Sequence, residues 1–238
     1  SAKLSKGIQR VSWDLKKPYA NVVDANTKQK SINAWRLDVA PGTYSVSLLK
    51  RVGGVETELV GAQTFEVERI RKNVLANPLA DQRQAYIDKI FALDKKIELA
   101  DHAFETAGKR LKTLKKALKF VDGDKAKITA VLYDLLEEKH KISRMLDGNS
   151  SKKEVGEKDQ LTLNYRLYFA ANGLMGNSYG PTPLHMESFA LAQTMFDNIK
   201  PNIDDFVRNV DQLATQMEAA GAPLSRRLAR HRLVRGEV

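Results

Sequence analysis

Glu137 and His140 have the Glu-x-x-His spacing with which carboxylate-bridged di-iron bundles hold metal. Such a site needs a second pair and further inward glutamates. The inward positions of the two long helical stretches in this chain are all apolar, so Glu137, Glu138, Lys139 and His140 read as a solvated helix face. Asp122-Gly123-Asp124 opens like a calcium loop, but Lys125 and Lys127 occupy later ligand positions and no glutamate stands at position twelve. It reads as a turn followed by a helix cap. His102, His185 and His231 stand far apart, with no Gly-x-Ser-x-Gly and no phosphate-cradling loop beside them. Asp14, next to Trp13, is the one carboxylate of the N-terminal region considered for glycosidase work, which requires a pair. The sequence thus predicts no catalytic residue, no metal ligand and no cofactor.

The elements that would position these groups divide the chain once, near Asn77. Residues 1–65 are rich in Val, Thr and turn residues, whereas 76–147 are almost free of Gly and Pro. With 238 residues and 42% hydrophobic content, the chain can bury a core in two modest domains. Alternation predicts strands over 8–15 and 43–49, the latter placing Tyr44, Val46 and Leu48 on one half-buried face. Gly53-Gly54 predicts a hairpin turn into a run from Val55, and Phe65 and Val67 continue it.

Beyond residue 77 the spacing changes from two to three and four. Ile90, Leu93, Ile97, Ala100, Phe104, Ala107, Leu111, Leu114, Leu118 and Val121 form one packing seam. Ala192, Phe196, Ile199, Ile203, Phe206, Val210, Leu213, Met217 and Ala220, following Phe189, form another. Asn77-Pro78 and Thr182-Pro183 read as helix starts, and Gly123, Gly148, Gly173 and Gly221 as left-handed exits. Pro201 predicts a kink or a brief break, with Asn202 or Asp204 satisfying the freed backbone. Two shorter helices are predicted between the seams. One runs over 124–147 with Ile128, Leu132, Leu135, Ile142 and Leu146 inward, the other over 158–172 with Leu161, Tyr165 and Tyr168 inward. A polar connection over 148–157 joins them. The fold class is therefore α+β: a small Ig-like β-domain over 1–74, an antiparallel bundle of three or four helices over 77–221, and a basic tail over 222–238.

The net charge of +10 points to an acidic partner surface. Lys109, Arg110, Lys112, Lys115, Lys116 and Lys119 occur with no acid among them, and Arg226, Arg227, Arg230 and Arg232 follow in the tail. Together they are the candidate polyanion contact. Tyr165, Tyr168, Phe169 and Tyr179 are the candidate aromatic surface for a sugar or a partner chain. There is no cysteine, which excludes disulfides and thiolate sites, and no apolar run approaches a membrane span. The Ser-Ala-Lys opening, without Met, reads as a processed product or a piece of a longer protein.

Three stretches carry a resemblance: Gly7-Ile8-Gln9-Arg10-Val11-Ser12-Trp13-Asp14-Leu15 followed by Pro18; Ala40-Pro41-Gly42-Thr43-Tyr44-Ser45-Val46; and Ala219-Ala220-Gly221-Ala222-Pro223. With the long helices between them, they resemble the C-terminal region of bacterial sortilin-like, BNR-repeat β-propeller proteins, often labelled glycosyl hydrolases. The resemblance covers roughly 7–223. It implies an exported bacterial protein of the periplasm or cell surface whose tail, an Ig-like domain plus helices, serves as spacer or docking element. Hydrolytic activity in such proteins belongs to the propeller, and no Ser-x-Asp-x-Gly-x-Thr-Trp box is present here.

The expectation is a non-catalytic structural and interaction module whose partner is a protein or the preceding propeller domain. Two alternatives stand beside it: a polyanion-binding protein, for nucleic acid or acidic glycan, and an accessory part of a β-propeller glycoside hydrolase.

Overall fold

The computed structural model describes residues 7–18, 36–70, 82–174 and 180–224. The class is α+β, as the composition break predicts. Two antiparallel two-stranded sheets precede a helical region. Strand β1 (Lys16–Pro18) pairs with β2 (Arg36–Asp38), and β3 (Gly42–Val52) pairs with β4 (Val55–Val67). The helices are α1 (Arg83–Ala117), α2 (Lys125–Asp147), the short α3 (Ser150–Glu154), α4 (Leu163–Asn172) and α5 (Pro183–Ala219).

The turn between β3 and β4 is the predicted one: Gly53 and Gly54 have φ of 58° and 84°, which only glycine adopts without strain. The strand expected over 8–15 is not formed. Leu15 sits at φ 57°, a left-handed conformation that interrupts an extended chain, and pairing begins only at Lys16. The segment before it is irregular, held by Trp13 Nε1 donating to the Lys16 carbonyl (3.1 Å) and by Asp14 Oδ1 accepting from the Lys16 amide (3.3 Å). The Ig-like sandwich is not built by the described residues. Its smallest form has seven strands in two facing sheets, whereas the β3–β4 hairpin is exposed along nearly its whole length.

The helical region follows the predicted seams closely. In α1 the residues Ile90, Leu93, Ile97, Ala100, Phe104, Ala107, Leu111 and Leu114 are all buried, as are Ala192 through Met217 of the second seam. Contacts between the helices fix their directions. Tyr86 meets Phe189, Phe104 meets Phe206 with ring centroids 5.2 Å apart, and Arg110 is ion-paired with Asp211, so α1 and α5 run parallel. Lys139 approaches Glu105 (3.7 Å) while Lys115 lies over Tyr133, so α2 runs antiparallel to α1. Helix α4 takes the same direction as α2: Arg166 is joined to Ser188, and Leu174, just past its end, to Arg83. The architecture is an up-down-up bundle of three arms whose middle arm is broken into α2 and α4. Consecutive arms are antiparallel, and the two long seams are parallel because a single descending arm lies between them. At 1.5 Å per residue the 37 residues of α5 make a rod about 55 Å long.

Several details correct the sequence reading. Helix α5 continues unbroken through Pro201, which is exposed, and Asp204 takes the Lys200 ammonium (2.5 Å) rather than a freed backbone group. Gly148 and Gly221 are left-handed exits (φ 85° and 83°), but Gly173 has φ −64°. Its lack of a side chain is required for a different reason: the His185 ring occupies the space of a Cβ. In α4 the expected inward residues are displaced. Leu161, Tyr165 and Tyr168 are about half exposed, and Leu163, Leu167, Ala170 and Ala171 face the core. The connection expected over 148–157 contains α3, capped by the Asn149 side chain accepting from the Ser151 amide. The helix start expected at Asn77-Pro78 lies outside the described residues.

Candidate functional site

The base of the hairpin is an aromatic cluster. Trp13 lies 5.3 Å from Tyr44 and 6.1 Å from Phe65 between ring centroids, and the Tyr44 hydroxyl donates to the Ala40 carbonyl (2.6 Å). Side chains alternate across a strand, and paired residues share a face. The register Tyr44↔Phe65, Leu48↔Val60 and Val52↔Val55 therefore puts Tyr44, Val46, Leu48, Val52, Val55, Val60 and Phe65 on one face, with Lys50, Thr57 and Gln63 among them. Register shifts on either side of Leu48 insert extra residues into β4 without disturbing this sorting. The other face is mainly polar, with Leu49 set opposite Glu58: Thr43 donates to Glu66 (2.5 Å) and Arg51 pairs with Glu56 (3.7 Å), both across the ladder. Trp13 covers only the base of the apolar face. Val46, Leu48, Val52, Val55 and Val60 are 46–69% exposed, against the half-buried face that the sequence predicts.

Arg83, at the first turn of α1, joins this β-region to the rod. It is 4% exposed, and its guanidinium donates to the Asp38 carbonyl at the end of β2 (2.8 Å) and to the Leu174 carbonyl beyond α4 (2.9 Å). The fork of arginine donors suits two carbonyls from different elements. Beside it the Tyr86 hydroxyl donates to the His185 carbonyl (2.7 Å), and burial pushes the phenol pKa above its ordinary range. His185 is part of the cap of α5. Its amide is capped by Thr182 Oγ1 and its Nδ1 accepts from the Thr182 amide (3.2 Å), so it fills the place that Glu or Gln takes in a capping box.

At the opposite end of the rod, Lys109, Lys112, Lys115 and Lys116 are exposed on the outer side of α1, and Lys119 is exposed in the 3-10 turn Leu118–Phe120 that follows it. Arg110 does not belong with them. It turns toward α5, where its side chain is 10% exposed and paired with Asp211. Tyr133 and Phe120, which the sequence reading did not single out, lie under Lys115 (5.4 Å) and Lys119 (4.7 Å). Arg226, Arg227, Arg230 and Arg232 lie outside the described residues.

The aromatic group divides. Tyr165 and Tyr168 face outward, Phe169 packs on His185 with centroids 5.3 Å apart, and Tyr179 lies outside the described residues. A groove of about 450 Å³ at the break between α2 and α4 is lined by Lys141, Arg144, Met145, Asp159, Leu161 and Met195, among others. Asp159 accepts the backbone amides of Asn149 (2.6 Å) and Gln160 (2.9 Å), which holds its carboxyl below the usual range and ties the break together.

Glu137 is exposed and paired with Lys141 (2.8 Å), and Asp124 caps α2 by accepting the Lys127 amide. Among the described residues no group of three or more His, Asp or Glu is arranged to hold a metal, and no helix is long and apolar enough to cross a membrane. Comparison with protein-family models, with curated proteins and with solved structures finds no match to this chain.

Proposed function

We propose that the chain is a non-catalytic structural and interaction module, the C-terminal part of a larger exported bacterial cell-envelope protein, and that its rod carries a β-hairpin which docks on a protein partner. The observation that carries the reading is the apolar face of β3–β4, whose Val46, Leu48, Val52, Val55 and Val60 stand in solvent over most of the hairpin length. A row of large aliphatic side chains backed by a polar opposite face is the pattern of a sheet surface that finishes its burial against another body. The partner is a β-rich domain of the same protein, the propeller that the resemblance implies. A two-stranded sheet has two open edges as well as one apolar face, and both suit addition to another sheet.

The test is hydrogen–deuterium exchange of the β3 and β4 amides in this chain alone and in the longer protein. Docking predicts slower exchange by about tenfold or more in the longer protein, since covered ladders open less often. Leu48→Asp with Val60→Asp removes that gain, whereas Thr64→Asp, on the polar face, leaves it. Equal exchange in the two proteins overturns the reading.

A further inference from the structure

Because α1 and α5 are parallel, the end of α1, the start of α2 and the end of α5 meet at the end of the rod remote from the hairpin. That end carries unbalanced charge. Between Lys109 and Lys119 six bases occur with no acid, and the fold uses one of them, Arg110, for Asp211. At 100° per residue Lys109, Lys112, Lys115 and Lys116 fall within about a third of the α1 circumference, turned away from Leu111 and Leu114, and Lys119 continues the stripe in the 3-10 turn Leu118–Phe120. They extend about 15 Å along the axis.

None of these five lysines forms an ion pair among the described residues, although the same bundle pairs Lys139 with Glu105, Lys141 with Glu137 and Lys200 with Asp204. Lys109–Lys112, Lys112–Lys115, Lys112–Lys116, Lys115–Lys119 and Lys116–Lys119 are all three or four residues apart, where like charges repel. The helix retains five repulsive pairs that one or two glutamates would relieve.

We infer that this stripe is a binding surface for an extended acidic polysaccharide. Its linear form on a convex helix back suits a polymer lying along the helix rather than a small anion in a cavity. Its residue type offers charge without base reading: lysine acts as a point charge and lacks the planar fork that pairs with base edges. Tyr133 and Phe120, each about half exposed with an ammonium beside the ring, stand at the margin of the stripe, and no aromatic is interleaved with the lysines between 109 and 119 as a stacking platform for single-stranded nucleic acid requires. This inference does not depend on the role of the hairpin.

The experiment measures binding of the whole chain to a fluorescent heparin dodecasaccharide by anisotropy across a salt series. A thymidine oligonucleotide of matched charge and phosphatidylglycerol vesicles serve as rival probes. Lys112→Glu with Lys116→Glu is compared with Lys89→Glu with Lys95→Glu, which changes the net charge equally elsewhere on α1. The surface predicts a loss of glycan affinity of about tenfold or more for the first pair and under about threefold for the second, with a shallower salt dependence only in the first. Lys112→Gln with Lys116→Gln, of unchanged helical circular dichroism, gives a smaller loss in the same direction. Absence of glycan binding at low salt, equal loss in the two charge-reversed variants, or tighter binding of the oligonucleotide or the vesicles would overturn it.

Discussion

The bundle and the hairpin use the same kinds of residue with opposite results. In the bundle, each aliphatic side chain of a seam meets another arm, so Leu111, Leu114, Leu132, Phe206 and Val210 are all but inaccessible. In the hairpin, a comparable row meets water, because among the described residues the two strands have no second layer to close against. A two-stranded sheet is marginal on its own. The contrast teaches that a periodic apolar face specifies burial only when the chain supplies something to bury it against. Where it does not, the face is better read as belonging to an interface.

The largest effect expected on this contrast is from Phe206→Ala. Phe206 is fully buried against Phe104 at the middle of the rod, and its truncation should cost about 3–5 kcal/mol in urea unfolding followed by helical circular dichroism. A much smaller loss would show that the arms are less tightly joined than their burial indicates. Arg83→Met comes next. It leaves the Asp38 and Leu174 carbonyls without their buried donor and should cost about 1–3 kcal/mol. It should also raise the exchange rate of the β2 amides more than that of the middle of α1. Equal change in both regions would mean that β-region and bundle unfold as one unit.

Asp101→Asn sharpens the picture within the bundle and has the smallest effect. Burial first, and then the charges of Asp147 and Glu105, push the Asp101 carboxyl above the usual range, more than His102 and Lys139 pull it down. A carboxyl raised on folding gives stability that is complete below its unfolded pKa, near 3.9, and that declines as pH rises through the folded value. Asn removes the charge that causes the decline. The variant should therefore unfold at a higher temperature than the parent at pH 7 and at the same temperature near pH 3. A gain of equal size at both pH values would assign the effect to packing instead.

Most of the bundle was legible in the sequence because its signals are local. Nine or ten seam positions at three-and-four spacing leave little freedom in which side of a long helix is buried. Thr182-Pro183 and Gly148 mark ends through their own backbone chemistry, as does the Gly53-Gly54 turn of the hairpin. Helix α4 was misread because it has only ten residues and its tyrosines present far larger apolar bodies than its alanines. The core there admits Ala170 and Ala171 because α4 packs closely against α5, and the bulky rings are left outside. The lysine stripe was legible as a run, but not the removal of Arg110 from it, nor the placing of Tyr133 beside it from another helix.

By itself, then, the sequence determined the α+β class, the two seams and the glycine hairpin turn. All of these follow from residue type and spacing along one segment. Only the tertiary structure decided that the long helices run parallel, that Arg83 ties the β-region to the rod, and that the alternating face of β3–β4 remains in water. Each of those depends on which distant segment arrives opposite, and the periodicity of a helix or strand states which face needs a partner without stating which partner comes.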